Sequence, residues 1–176
     1  MHQQTQRTYA LGDTDRGGRA LVLLGANLQV IATVEATGVA PEDADEDYDP
    51  IRDVAVHGDQ VIVLTTDSHP KGSGLQLLDL DGRFLRTIAA GRFRNPWAVA
   101  ASQGRAFVVD DDDYDKSGKM GMFLVVIDIQ SGDIIQKVRV DLIGGVSAMF
   151  VDGDEIYISC FDVNKVVVLR YVGSAA

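Results

Sequence analysis

The sequence predicts an all-β fold, an array of four-stranded antiparallel blades, about four in number, with the first and last incomplete. Three observations lead there. A unit recurs about every 45 to 50 residues, a spacing that marks repeat architectures: Asp53 to Leu64 returns as Ala98 to Val109 and again as Ala148 to Ser159. Its segments are short apolar runs rich in Val, Ile and Leu, broken by turns such as Gly58-Asp59, Asp81-Gly82 and Ser131-Gly132-Asp133. No helical periodicity competes. Short strands and tight turns repeated at this spacing are the signature of a β-propeller rather than of one sandwich.

The unit from about 50 to 91 supplies four strands: Arg52 to His57, Gln60 to Thr65, Leu75 to Leu80 and Phe84 to Ile88. Asp81-Gly82 between the last two is a strong hairpin signal. The unit 95 to 141 repeats the plan with Trp97 to Ser102, Arg105 to Asp110, Met122 to Ile129 and Ile134 to Val140. The unit 145 to 172 offers three strands, Val146 to Val151, Glu155 to Cys160 and Lys165 to Tyr171. At the other end, in 7 to 35, Arg7 to Leu11, Ala20 to Leu24 and Gln29 to Val34 align with the second, third and fourth strands of a full unit. Leu21-Val22-Leu23-Leu24 matches Leu75-Gln76-Leu77-Leu78. Residues 1–176 thus read as one propeller-like domain whose end blades each lack a strand, which leaves unpaired backbone groups at an edge. Three remedies are open. Arg7 to Leu11 adds to the outer edge of the last blade, two chains associate, or the chain is a piece of a longer protein. Association, a homo-oligomer joined through the incomplete blades, is the favoured one.

Composition fits a β-rich globular chain: 46% of residues are hydrophobic and mean hydropathy is +0.05. No run approaches the roughly 18 to 20 apolar residues of a spanning helix, and Met1 to Arg7 lacks the apolar stretch of a signal peptide. The expectation is no membrane partner and a cytoplasmic location. Net charge of −10 and a pI near 4.6 argue against nucleic acid, whose binding rests on clustered Lys and Arg. Cations or basic surfaces are the better electrostatic match. A single cysteine, Cys160, closes no intrachain disulfide and reads as a reduced thiol at a strand end.

The segment Asp81-Gly82-Arg83-Phe84-Leu85-Arg86-Thr87-Ile88, followed by Gly91-Arg92-Phe93-Arg94-Asn95-Pro96 and Trp97-Ala98-Val99-Ala100, resembles the NHL repeat. In that family a hairpin of this type leads through a Gly-x-Phe segment to a Pro that opens the next blade. The resemblance covers about 50 to 171 and departs from the family at the ends of the second strands, Leu64-Thr65-Thr66-Asp67, Val109-Asp110 and Ser159-Cys160. It implies a binding scaffold, some relatives being metal-dependent lactonases or lyases, and a shared fold does not transmit activity.

The connections between second and third strands and between successive blades share one face. This places Glu42 to Asp49, Asp67 to Gly72, Asp110 to Lys119 and Phe161 to Asn164 together, with acidic stretches that both end in Asp-Tyr-Asp. The expected binding face comprises Asp47, Asp49, Asp113, Asp115 and Trp97. Asp67, His69, Asp110 and Asp162 follow the second strand in three blades and are the candidate metal ligands. Ca²⁺, which takes six to eight oxygens, is the cofactor such a set would suit. The other reading is a solvated acidic rim, since no EF-hand spacing is present. His69 beside Asp67 has the makings of a metal ligand or general base, or is a plain loop residue. His57 reads as a solvent-exposed turn residue. Trp97, at the start of an inner strand, has a packing role or serves as a recognition aromatic. No nucleophile comes with a base, so the expected function is a non-enzymatic binding module for a protein or small-molecule ligand. The alternative is a propeller-type metal-dependent hydrolase or lyase.

Overall fold

In a computed structural model, residues 7–13, 19–25, 27–35, 51–66, 72–114, 120–140 and 145–173 are described. Among them every regular element is a strand. The first sheet comprises β1 (Thr8–Asp13), β2 (Arg19–Leu24) and β3 (Val30–Glu35), and the second β4 (Ile51–His57), β5 (Gln60–Thr65), β6 (Gly74–Asp79) and β7 (Phe84–Ile88). The third holds β8 (Pro96–Ser102), β9 (Arg105–Tyr114), β10 (Met120–Asp128) and β11 (Ile134–Arg139), and the last β12 (Val146–Asp152), β13 (Glu155–Cys160) and β14 (Lys165–Arg170). All pairings are antiparallel between sequence neighbours. The expected pattern of two four-stranded sheets between two three-stranded ones is therefore the observed one.

Sheets stack face to face because alternate residues of one strand point to opposite faces. On β5, Val61 and Val63 pack on the first sheet while Ile62 and Leu64 pack on the third. On β9, Ala106 and Val108 face back to the second sheet, and Phe107 and Val109 face forward to the last. Burial on both faces explains why these runs are apolar throughout rather than alternating. Among the described residues, three hydrophobic clusters lie between consecutive sheets, and none joins the last sheet to the first. The inner strands run side by side, β4 against β8 and β8 against β12.

Register shifts repeat from blade to blade. One falls after the first residue of each inner strand, between Ile51 and Asp53, Pro96 and Ala98, and Val146 and Ala148. Another falls between third and fourth strands, at Leu23/Leu24, Leu77/Leu78 and Val126/Ile127. The first sheet carries only the second kind. Its strands are thus the second, third and fourth of a blade, and the inner strand is the one missing. The N-terminal strand β1 pairs with β2 and not with the edge of the last sheet, so it does not supply the closure considered above. It is an edge strand of its own sheet, paired on one side only, and its free side meets no strand of the last sheet among the described residues.

The turns after the third strands tuck under the preceding sheet. Gly82 and Gly132 both adopt φ of +81°, where L side chains are strained. A Cβ on Gly82 would lie 2.6 Å from Val34 Cγ2, and one on Gly132 3.0 Å from Ile88 Cγ2. A carboxylate fixes each turn: Asp79 Oδ1 accepts from the N–H of Asp81 (2.9 Å) and Arg83 (2.8 Å), and Asp128 Oδ1 from that of Ser131 (2.7 Å). These backbone donors, foremost Arg83 N–H and Ser131 N–H, hold both carboxyls below the usual carboxylate range. A lowered folded-state value means the contribution is present above the unfolded value near pH 4 and is lost as pH falls through the folded one. Asp79→Asn/Asp128→Asn is therefore expected to lose stability at neutral pH and to converge with the wild type on acidification. Urea unfolding at neutral pH and in acid reads this directly; parallel pH profiles would refute it.

Candidate functional site

One end of the stack collects the connections between blades and the β9–β10 hairpin. Here the sequence-based expectation needs correction. Asp111 to Tyr114 are not loop: the strand expected to end at Asp110 continues as β9 to Tyr114, paired with β10 from Met120. A register shift between Gly121 and Met122 lets the hairpin extend past the point where Pro96 opposes Asp110. Bulges of this kind bend a hairpin out of the plane of its sheet. Asp111 is still buried, its N–H bonded to Asn95 O at 3.1 Å, and the backbone of Asp112 to Tyr114 continues past the last pairing with β8.

Asp110 is fully buried at the root of this hairpin. Its Oδ1 accepts from the N–H groups of Arg94 (3.0 Å) and Asn95 (2.9 Å), fixing the connection that leads into β8. Asp162 does the same one blade later, accepting from Gly145 N–H at 2.9 Å. Asp53 Oδ1 caps the N–H of Val54 (2.8 Å), and its Oδ2 crosses to the next inner strand at Val99 N–H (2.8 Å). Asp53 went unremarked in the sequence, although an acid inside an apolar strand was the visible signal. A buried carboxylate such as Asp110 persists where backbone donors satisfy it, while Asp53 is half-buried and Asp162 exposed.

Of the candidate ligands, Asp67 and His69 lie outside the described residues, as do Asp47, Asp49 and Asp115 of the expected binding face. Asp113 is placed by its backbone opposite Gly121. Among the described residues, no three His, Cys, Asp or Glu side chains are placed to share a metal. Trp97 occupies the bulge position of β8, next to its counterpart Arg52 on β4. The Arg52 guanidinium lies 5.4 Å from the centre of the indole ring, a cation–π contact joining two blades. Trp97 is half-buried, and its Nε1 has no acceptor among the described residues.

Cys160 is buried, and burial together with Asp162 pushes its thiol up, opposite to what a nucleophilic thiolate requires. His57 is half-buried rather than the free turn residue expected, because its Nε2 accepts from Gly104 N–H at 3.0 Å. It stands at the other end of the stack, in a cleft of about 430 Å³ between the second and third sheets that also includes Arg86, Arg105 and Asp128. The cations of this cleft serve the fold: Arg86 donates to the carbonyls of Ile129 (2.6 Å) and Gln130 (2.8 Å). Arg105 lies 4.9 Å from the Tyr171 ring centre.

Repeated sheets stacked through their faces, with inner strands side by side and connections at one end, define a β-propeller fold in an incomplete four-blade form. Solved structures agree. The chain is similar to the computationally designed Ika4 protein at 13% identity and TM-score 0.54, over 96% of this chain and 93% of that one. It is similar to BamB from Moraxella catarrhalis at 14% and 0.55, over 92% of this chain and 42% of that one. A third likeness is to the glutaminyl cyclase of Myxococcus xanthus at 12% and 0.58, over 94% and 69%. The chain thus spans about two fifths of BamB's length. No family model matches the sequence, and no curated protein matches it.

Proposed function

We propose that the protein is a non-enzymatic β-propeller interaction module that receives a basic protein segment on its acidic hairpin face. The observation that carries this is the overshoot of β9 and β10, which holds Asp112 and Asp113 past the last pairing with β8 on a strand paired to β10. A net charge of −10 adds long-range attraction for a cationic partner. Asp47, Asp49 and Asp115, which lie outside the described residues, belong to the same proposal as further acidic groups. The NHL-type resemblance of 81 to 100 belongs to the same proposal, as a scaffold that binds. The hydrolase or lyase alternative gains no comparable support, since Asp110 and Asp162 spend carboxylate oxygens on backbone donors.

Titration calorimetry with an oligolysine peptide tests the reading. Binding is expected at low salt, weakening steeply as the Debye length shrinks from about 30 Å at 0.01 M to about 8 Å at physiological salt. Asp112→Asn/Asp113→Asn should weaken it by roughly fivefold, a loss of about 1 kcal/mol. Absence of binding at low salt, or equal binding by the variant, would exclude this surface. A parallel titration with Ca²⁺ addresses the metal expectation.

A further inference from the structure

The two end sheets each keep one face that no described residue covers, and those faces differ in kind. Pairing registers identify equivalent positions. Leu64 opposes Leu75 and Ile62 opposes Leu77; Val109 opposes Leu124 and Phe107 opposes Val126; Ser159 opposes Val166 and Tyr157 opposes Val168. In the second and third sheets these third-strand residues pack forward on the next sheet, with Leu75 and Leu77 at 0% exposure and Leu124 and Val126 at 6% and 1%. In the last sheet Val166 and Val168 stay apolar yet are 63% and 54% exposed, beside Phe150 at 64%. The forward-packing face is present, and no described residue lies on it.

The first sheet has the converse face. Leu78 packs backward from β6, and Val125 and Ile127 from β10; Leu24 stands at the equivalent of Leu78, and Val22 at that of Val125. Val22 and Leu24 are only half-buried, with Ala10 opposite Val22. One end thus offers a forward-packing surface and the other a backward-packing one, the pair that already meets at three joints within the chain.

We infer that a second copy of this chain covers both faces, the last sheet of each copy packing on the first sheet of the other to close a two-fold ring. Three observations favour a second copy over a foreign partner. The two faces are complementary by their repeat positions, so each supplies what the other lacks. Neither carries an uncompensated cation: Arg170 on the forward face is paired with Glu155 at 3.0 Å. The Tyr157 and Ser159 hydroxyls among Phe150, Val166 and Val168 give the mixed composition of a subunit interface rather than of a core. Two such joints under a two-fold axis close, whereas a rotation that failed to close would give a filament.

Sedimentation velocity tests this. The wild type is expected at twice 19.0 kDa. Val168→Glu on the last sheet and Val22→Glu on the first should each lower the mass to the monomer while keeping a wild-type far-UV spectrum. An equimolar mixture of the two variants should recover association, because the unaltered faces of the two remain complementary. A wild type at 19.0 kDa at every concentration overturns the inference. So does a dimer that survives Val22→Glu, which would mean two last sheets meeting each other, or a mass that grows without limit. Asp112→Asn/Asp113→Asn should leave the mass unchanged, so failure of the acidic-hairpin reading and failure of this one are told apart.

Discussion

Replacing Phe107 by alanine is expected to destabilise the protein by about 3–5 kcal/mol, the range for deleting a large buried aromatic. Phe107 is among the largest fully buried side chains, sits on the forward face of β9, and meets Tyr171 edge-on with ring centres 5.7 Å apart. Val109, Leu124 and Val126 surround it from its own sheet and Ile156 and Ile158 from the next. Because these neighbours belong to strands fixed by their own ladders, they cannot close over the void, and the cavity term adds to the lost transfer energy. Thermal unfolding reads it as a fall of roughly 10 °C, given about 2–4 °C per kcal/mol for a chain of this size. A fall of only a degree or two would mean that the joint between the last two sheets is far looser than its burial indicates.

Asp110→Ala is expected to cost about 2–4 kcal/mol, from hydrogen bonds to a charged acceptor and from the backbone donors left without one. Arg94 N–H and Asn95 N–H would both lose their acceptor, at the point where the chain passes from the second blade into the third. Asp110→Asn retains one acceptor oxygen, so the loss should be about half as large. Chemical denaturation of the pair distinguishes this role from that of a residue held in reserve for a ligand. For the latter, alanine would be neutral or stabilising, as removal of uncompensated buried charge is.

Much of the fold was legible because packing on two faces writes itself into the chain. Runs such as Val61-Ile62-Val63-Leu64 and Ala106-Phe107-Val108-Val109 are apolar at every position, and Gly58-Asp59, Asp81-Gly82 and Gly104 punctuate them where the turns fall. The count of missing strands came from aligning Leu21-Val22-Leu23-Leu24 with Leu75-Gln76-Leu77-Leu78, and the shared register shift supplies the same alignment independently. The site was less legible. Asp111 to Asp113 read as loop because aspartate is depleted in strands, but cross-strand pairing with β10 overrides that preference. Asp110 lies inside β9, in register with Cys160 rather than with Asp162, which follows β13, and the sequence carried no statement of what either binds. Backbone donors claim them, and those donors have no signature in the sequence. His57 shows the same limit: a turn histidine looks free until the turn of the next blade brings Gly104 N–H to it.

The absence of a cluster between the last sheet and the first also has a dynamic meaning. In a closed ring every blade is held from both sides, and no blade can open before the rest. An arc has two ends, and the energetics become those of a row of neighbours, each tied only to the next. The second and third sheets each share two hydrophobic clusters, whereas the first and last share one apiece. In the single chain, before a second copy covers its ends, opening is therefore graded, with amides of β1 to β3 and β12 to β14 exchanging through local events and those of β5 and β9 only through global unfolding.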